Sequence, residues 1–260
     1  MPENLFVEER RRLIIEQLML NGRVSVNTLS ENLGVSTVTI RQDLRALEEV
    51  GLLERTYGGA VRKTSEEYLP ELSFHVRQKR NWREKQIIAA AAVAQVKDGY
   101  TVALDCSTTA YALVPQLKKF KKLTIVTNSL FIAQSFLDSP GVHVLMPSGR
   151  LRRDSISLVG KPEALPNINL NVGFFGTRGI SLVGGITDID ADEVAMKQAM
   201  IAHCLSTVIL ADSSKWGEVA PYKFVRPEQI ERIITSTRTP ETLIRQFREA
   251  SVQVDVVEIR

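Results

Sequence analysis

Polar and small residues follow five short apolar runs in the C-terminal part of the sequence. In an open parallel sheet, ligands bind beyond the carboxyl ends of the strands, so such positions are candidates for binding chemistry. Hydroxyl groups and the amides of a starting helix suit a phosphate, and the other groups suit sugar hydroxyls. The candidate residues chosen from these segments are Asp105, Ser107, Thr108, Thr109, Asn128, Ser129, Gly149, Arg152, Gly176, Asp212 and Lys215.

Each of these segments also has a purely structural explanation. A Ser-Thr-Thr sequence at a helix start is often only a cap, and an Asn-Ser pair after a strand is often only a turn. The occurrence of five such segments in one domain favours a shared pocket over five unrelated turns.

A second polar group lies along one edge of a predicted helix, Thr37–Glu49. Its apolar residues Ile40, Leu44 and Leu47 recur at helical spacing and face a core. The opposite edge carries side chains that match base edges in the major groove: Arg for guanine, Gln for adenine and Thr for the thymine methyl group. The candidate DNA contacts on this helix are Ser36, Thr37, Thr39, Arg41, Gln42 and, for a phosphate or flanking base, Arg45.

The elements around this helix predict a winged helix-turn-helix. Two further helices, Glu8–Leu20 and Val26–Leu33, precede it, and a Gly-Gly pair in Thr56–Gly59 indicates a hairpin. We expect this wing to contact DNA phosphates. Its candidate residues are Arg55, Tyr57, Arg62 and Lys63.

Bulk charge gives this interpretation no support, because residues 1–63 hold nine basic and nine acidic side chains. The alternative is a three-helix module that packs against another protein. The exposed Thr/Arg/Gln edge beside a basic hairpin favours DNA.

After a polar segment that ends at Pro70, short apolar runs alternate with amphipathic stretches, which predicts β-α-β units on a mostly parallel sheet. We therefore divide the chain into a DNA-binding domain (1–63), a linker (64–82) and an α/β domain (83–260). Predicted strands are Thr101–Leu104, Leu123–Thr127, Val142–Met146, Arg150–Val159 (strand or hairpin), Val172–Gly176, Thr207–Ala211, Ile230–Thr235 and Val252–Glu258. Predicted helices are Arg83–Val96, Ala110–Lys118, Leu130–Leu137, Asp190–Cys204 and Glu241–Glu249.

Composition predicts a cytoplasmic protein. The two cysteines cannot form a disulfide framework, and the longest apolar run, Ile87–Ala94, is too short to span a membrane. The three histidines are scattered without ligand spacing, so we expect no metal site and no cofactor.

The run Val35–Leu44, followed by Leu47-Glu48 and then by Tyr57–Ala60, strongly resembles the DNA-binding domain of DeoR-type bacterial regulators. The resemblance extends over nearly the whole chain. It implies a C-terminal sensor domain with a fold like that of ribose-5-phosphate isomerase, which binds a phosphorylated sugar.

Several segments match the family pattern. Asp105–Thr109 resembles its D-S-G-T-T phosphate loop, with Ser107 in place of glycine, and Asp212–Lys215 matches its D-S-S-K. Ser148 replaces the first glycine of another loop. The resemblance also implies effector-site positions at Gly185, Glu193 and Lys197.

The competing interpretation is a sugar-phosphate isomerase with an appended DNA-binding domain. Isomerisation needs a carboxylate base, and Glu193 could supply one. However, the loop that is acidic in the isomerase here contains the residues Gly176 to Gly179, with no carboxylate. We therefore predict a non-enzymatic regulator, typically a repressor, that binds operator DNA as a homo-oligomer (dimer or tetramer) and responds to a phosphorylated sugar.

Overall fold

The computed structural model describes residues 7–49, 52–61 and 74–259. The chain forms two compact units, residues 1–80 and residues 81–260. Arg62 and Lys63 of the predicted wing, and residues 64–73 of the predicted linker, lie outside the described residues.

The first unit begins with the helices α1 (Val7–Asn21), α2 (Val26–Leu33) and α3 (Thr37–Glu49). The bounds of α2 and α3 are those predicted, because capping residues set them. The Ser25 hydroxyl accepts a hydrogen bond from the amide of Thr28, and the Ser36 hydroxyl accepts one from the amide of Thr39. Gly34 ends α2 in the left-handed conformation. The helices share a buried core formed by Ile14, Leu18, Val26, Leu29, Ile40, Leu44, Leu47, Leu53 and Ala60.

A buried ion pair fixes α3 against α1. Asp43 is 2% exposed, and its two oxygens accept from Nε of Arg10 at 2.5 Å and Nε of Arg11 at 2.9 Å. Asp43 lies on the core side of α3, whereas Arg41, Gln42 and Arg45 are exposed. The orientation of the exposed edge of α3 thus depends on a carboxylate as well as on apolar packing.

The predicted wing forms a hairpin within a small antiparallel sheet of β1 (Arg23–Ser25), β2 (Glu54–Thr56) and β3 (Gly59–Val61). The sequence analysis did not identify β1, which has only three residues. Gly59 pairs with Ser25, and a Cβ on Gly59 would lie 1.9 Å from the carbonyl oxygen of Val24. Any larger residue would push the wing away from β1.

The predicted linker 64–82 includes a helix, α4 (Phe74–Lys79), in which Phe74 and Val76 are buried. Polarity and Pro70 pointed to a linker, but they carry no information about this short helix. The next helix, α5 (Trp82–Val93), begins one residue before the predicted start of the α/β domain.

The second unit is built on a seven-stranded sheet in which all neighbouring strands are parallel. Its strands are β4 (Thr101–Leu104), β5 (Leu123–Thr127), β6 (Val142–Leu145), β9 (Val172–Gly176), β12 (Thr207–Leu210), β14 (Arg232–Ser236) and β15 (Gln253–Val257). They lie in the order β15-β14-β12-β9-β4-β5-β6. Phe174 packs in one core cluster and Phe175 in another, as expected for a central strand buried on both faces.

The remaining helices cover this sheet or its edges: α6 (Thr108–Tyr111), α7 (Val114–Leu117), α8 (Leu130–Ser135), α9 (Ala191–Ala202) and α10 (Glu241–Glu249). The helix predicted at Ala110–Lys118 is instead the pair α6 and α7. The predicted strand or hairpin at Arg150–Val159 is a hairpin of β7 (Arg150–Arg152) and β8 (Ser157–Val159).

A three-stranded antiparallel sheet was not predicted. It consists of β10 (Gly179–Ser181), β11 (Gly185–Asp188) and β13 (Tyr222–Val225). Its strands are three or four residues long and rich in glycine and polar residues, so they lack an alternating apolar pattern. This sheet carries Asp188, a residue of the site described next.

Candidate functional site

The loop after β4 is tied to the end of β9 at the carboxyl edge of the sheet. Asp105, which is buried, accepts from the amide of Gly176 at 2.9 Å and from the amide of Ser107 at 3.0 Å. A Cβ on Gly176 would lie 2.4 Å from Cβ and Oγ of Ser107. The two loops therefore approach so closely that Gly176 is required.

A buried lysine joins this edge to α9 and to the small sheet. Lys197 Nζ lies 2.9 Å from Oδ2 of Asp105 and 2.6 Å from Oδ2 of Asp188, and it donates to the carbonyl oxygen of Gly176 at 2.7 Å. Arg178 Nε lies 3.7 Å from Oδ1 of Asp188. Two carboxylates are thus balanced by two cations in a space largely closed to water.

The electrostatics of this cluster favour the charged forms of Lys197 and Asp188. Burial by itself lowers the pKa of Lys197, but the carboxylates of Asp105 and Asp188 outweigh it and raise that pKa well above its usual value. Burial raises the pKa of Asp188, but Lys197 and Arg178 outweigh it and hold that pKa below its usual range.

The hydroxyls of the loops after β4 and β5 divide into those that cap a helix and those that remain candidate contacts. Ser107 caps α6 through the amide of Ala110, and Ser129 caps α8 through the amide of Ile132. The structural explanation thus holds for these two hydroxyls. Thr108 and Thr109, in the first turn of α6, are buried at the same edge.

Asn128 connects β5 to the hairpin of β7 and β8. Its main-chain oxygen accepts from the amide of Leu158 at 2.7 Å, and its Nδ2 donates to the carbonyl oxygen of Leu158 at 3.1 Å. The side-chain Oδ1 is buried and has no hydrogen-bond partner among the described residues.

The hairpin is also tied to the start of α9. Arg152 binds Asp190 at 3.0 Å and Glu193 at 3.2 Å, and Ser157 Oγ lies 3.3 Å from the same oxygen of Glu193. Ser157 forms a bridge with Ser129, so this ion-pair network adjoins the loop after β5. Gly149 directly precedes the hairpin, at a position where a Cβ would lie 2.4 Å from a carbonyl oxygen. Gly185 is the first residue of β11 and has a φ of +82°.

The loop after β12 is a turn of 3₁₀ helix, Ser213–Lys215, preceded by Asp212. Asp212 Oδ1 accepts from the amide of Ser214 at 3.0 Å and from Nδ2 of Asn81 at 2.9 Å. Burial raises the pKa of Asp212, but Lys215 and the Ser214 hydroxyl hold that pKa below its usual range.

The structure places the predicted effector residues in several groups, two of which are linked through α9. Asp105, Gly176 and Lys197 form one group, and Asn128, Ser129, Arg152 and Glu193 form another. The loop of Asp212 and Lys215 contacts α5 instead. Sequence reasoning missed Asp188, Asp190, Ser157, Asn81 and Glu84. The acidic residues around the start of α9 were the available signal for Asp188 and Asp190, but their contacts with Lys197 and Arg152 follow only from the three-dimensional fold.

In the first unit, several predicted DNA contacts among the described residues are exposed. They are Ser36, which precedes α3, then Arg41, Gln42 and Arg45 on α3, and Tyr57 at the hairpin tip, which is fully exposed. Arg41 and Tyr57 line a common cavity of about 340 Å³ between α3 and the wing.

One wing cation is partly neutralised. Arg55 Nε lies 2.9 Å from Glu48. The pKa of Glu48 is lowered because the amide of Arg55 donates to its carboxylate and the guanidinium attracts its charge. The charge of Arg55 is therefore partly balanced by Glu48.

Among the described residues, no helix is long and apolar enough to cross a membrane. Within the same ranges, no group of three or more His, Cys, Asp or Glu side chains is arranged to hold a metal ion.

Two family models match the chain: the DeoR-like helix-turn-helix domain over residues 10–66 and the DeoR C terminal sensor domain over residues 80–237. HTH-type transcriptional regulator GolR of Listeria innocua is 34% identical, over 98% of this chain and 100% of that protein. The glycerol-3-phosphate regulon repressor of Escherichia coli is 28% identical, over 95% of this chain and 98% of that protein.

Among solved structures, a ribose 5-phosphate isomerase from Plasmodium falciparum matches 51% of this chain and 52% of that chain at 16% identity and a TM-score of 0.38. A match this partial supports no inference about chemistry.

Replacing Lys197 by Met should leave two buried carboxylates without their shared cation. At neutral pH we expect the free energy of unfolding of the second unit to fall by about 3–5 kcal/mol. The loss should shrink as pH falls towards about 4, because protonation removes the uncompensated charges in the variant. In the wild type, Asp188 has a lower pKa in the folded chain than in the unfolded chain, so its charged form stabilises the fold at pH values above the unfolded pKa. This stabilisation is lost as pH falls through the folded pKa.

Denaturant unfolding followed by tryptophan fluorescence measures this loss, since Trp82 and Trp216 both lie in residues 81–260. Lys119→Met, at an exposed position, is the control. An equal loss at pH 7 and pH 4 would contradict the proposed charge balance.

Proposed function

This chain belongs to the DeoR family of helix-turn-helix transcriptional regulators, and we propose that it represses genes of carbohydrate metabolism until a phosphorylated sugar binds its second unit. The repressor named for the glycerol-3-phosphate regulon is a relative along nearly its whole length, which supports a phosphorylated effector. On this proposal the protein acts in the cytoplasm on duplex operator DNA.

The observation that carries the effector proposal is the unsatisfied acceptor of Asn128. A buried polar atom without a partner costs about 1–3 kcal/mol, and Asn128 Oδ1 lies next to the hairpin that bears Arg152. A sugar hydroxyl can donate to this oxygen. Glu193 and Asp190, which already bind Arg152, are suitable acceptors for further hydroxyls.

The phosphate is assigned to the loops after β4 and β12. Thr108 and Thr109 offer hydroxyls in the first turn of α6, and Lys215 offers a cation. Hydroxyls, backbone amides and one lysine form a recurrent set of phosphate ligands. Gly149, Gly176 and Gly185 contribute by letting the backbone approach closely or turn sharply.

The charge state of the site argues against isomerase activity. A general base works best with a pKa near neutrality, whereas Lys197 and Arg178 hold the pKa of Asp188 below its usual range. Asp105 binds the same lysine, and Glu193 binds Arg152. These carboxylates organise a binding site and do not abstract protons.

DNA recognition is assigned to α3 and the wing. Arg41 and Gln42 read bases, Thr37 and Thr39 contact the thymine methyl group or the backbone, and Arg45, Arg55 and Tyr57 contact flanking groups. Helix-turn-helix proteins commonly bind paired half-sites as dimers, so we assign a homo-oligomer, dimer or tetramer, to the active form.

Arg41→Ala should weaken binding to a selected operator about 10- to 100-fold, because a bidentate contact to guanine discriminates by about 1–3 kcal/mol. Binding to random duplex should fall much less. Fluorescence anisotropy with both DNAs measures the two changes, and Arg45→Ala, which we expect to weaken both DNAs similarly, is the comparison. An equal loss on both DNAs for Arg41→Ala would make Arg41 a phosphate contact.

Thr108→Ala should remove the response to the effector while leaving operator affinity within about twofold, because its hydroxyl lies in the proposed phosphate loop and far in sequence from α3. Glycerol 3-phosphate, ribose 5-phosphate, fructose 6-phosphate and inorganic phosphate are the probes. A compound that binds the native state raises the melting temperature and should release operator from the wild type.

The matched control is Thr242→Ala, on the exposed face of α10. A Thr108→Ala protein that still releases operator at the wild-type concentration would place the phosphate elsewhere. Measurable isomerisation of any probe by the wild type would contradict the non-enzymatic assignment.

A further inference from the structure

Asn81 adopts an unusual conformation at the first residue of the second unit. It precedes α5 with φ of 53° and ψ of 33°, in the left-handed region, and its side chain makes no capping bond to its own helix. An Asn at this position ordinarily has an extended backbone and caps the helix through its side-chain oxygen. Here its Nδ2 instead donates to Oδ1 of Asp212 at 2.9 Å.

Glu84, in the first turn of α5, holds the same loop from a second point. It is 1% exposed and accepts from the amide of Ser213 at 2.9 Å and from the Ser213 hydroxyl at 3.1 Å. It also accepts from Ser236 at 2.6 Å, and Arg238 lies 3.5 Å away. A buried carboxylate with four partners fixes the position of its neighbours closely.

Lys85 adds a charge at this junction. It is 4% exposed, and its positive charge is one of the factors that keep the pKa of Asp212 low. At the start of α5, the side-chain amide of Asn81 and the positive charge of Lys85 therefore act on Asp212. The carboxylate of Glu84 binds Ser213. The loop after β12 is thus bound by side chains at two points of the start of α5, Asn81 and Glu84.

We propose that the first turn of α5, Asn81 to Lys85, is the coupling segment that links the loop Asp212–Lys215 to the DNA-binding unit. The inference rests on the proposed function, because it takes this loop as part of the effector site. Asn81 immediately follows residues 1–80 in the chain, so its backbone angles set the direction in which the chain leaves the second unit.

The chemistry of asparagine suits a hinge. Among non-glycine residues it tolerates the left-handed region well, so it can move between that region and ordinary angles at low cost. Hinges are commonly a few residues at the ends of elements that absorb such changes. A phosphate that takes hydrogen bonds from Ser213, Ser214 or Lys215 would alter the partners of Asp212, and Asn81 would be released from it.

The alternative is that these bonds only stabilise the start of α5. The two explanations predict different effects of operator binding on the loop Asp212–Lys215. If the segment couples the units, operator binding must change the protection of the Ser213 and Ser214 amides, because allosteric coupling is reciprocal. If the bonds are only local, operator binding leaves this protection unchanged.

The test uses the full chain and duplex DNA selected by the wild type from a random library. Hydrogen exchange at Ser213 and Ser214 is measured with and without this DNA, in wild type, Asn81→Gly and Asn81→Asp. We expect operator binding to change exchange at least fivefold in the wild type and less than twofold in both variants. Ser251→Gly is the control, because Ser251 also has a positive φ but lies outside this network.

The double variant Asn81→Asp, Asp212→Asn exchanges donor and acceptor and should restore the dependence on operator. No operator effect in the wild type, or an unchanged effect in both Asn81 variants, overturns the coupling. Melting curves identify any single variant that is unfolded. In that case the effect of operator on hydrogen exchange in the wild type tests the coupling.

The sugar phosphate probes distinguish a failure of the coupling from a failure of the proposed function. If the wild type responds to none of them but operator binding still changes exchange at Ser213, the coupling stands and the effector assignment fails. If a probe releases operator from wild type and from both Asn81 variants at equal concentration, the effector assignment stands and the coupling fails.

Discussion

The buried contact of Lys197 with Asp105 and Asp188 is the interaction on which the second unit depends most. Removing one cation and two carboxylates from water is expensive, and only close contacts and further hydrogen bonds compensate for it. Here the ammonium group also bonds the carbonyl of Gly176, and Asp105 bonds the amide of Gly176. One side chain thus fixes α9, β11, the loop after β4 and the end of β9 relative to each other.

On the proposed function, contacts of this kind hold the effector loops in one arrangement. These loops are held by ion pairs, by hydrogen bonds and by close backbone contacts at glycines. Lys197 and Arg178 also hold the pKa of Asp188 below the range that suits a general base at neutral pH.

Much of the architecture could be predicted from the sequence, because local signals determined it. Ser25, Gly34 and Ser36 set the ends of α2 and α3, and continuous apolar runs set β4, β5 and β9. The small sheet of β10, β11 and β13 could not be predicted, because its short strands lack apolar alternation. The partners of Glu84 and Asp188 lie far away in sequence, so no local pattern indicates that they are buried and paired. Arg62 and Lys63 stay predictions, as does the division of the chain at residues 63 and 82.

On the proposed function, the DNA site and the effector site share one conformational equilibrium, and reciprocity tests the link between them most directly. The affinity for whichever sugar phosphate releases operator from the wild type can be measured by calorimetry, with and without saturating operator DNA. We expect operator to weaken sugar-phosphate binding by the same factor by which the sugar phosphate weakens operator binding, roughly 5- to 150-fold. Equal sugar-phosphate affinities with and without operator would contradict it.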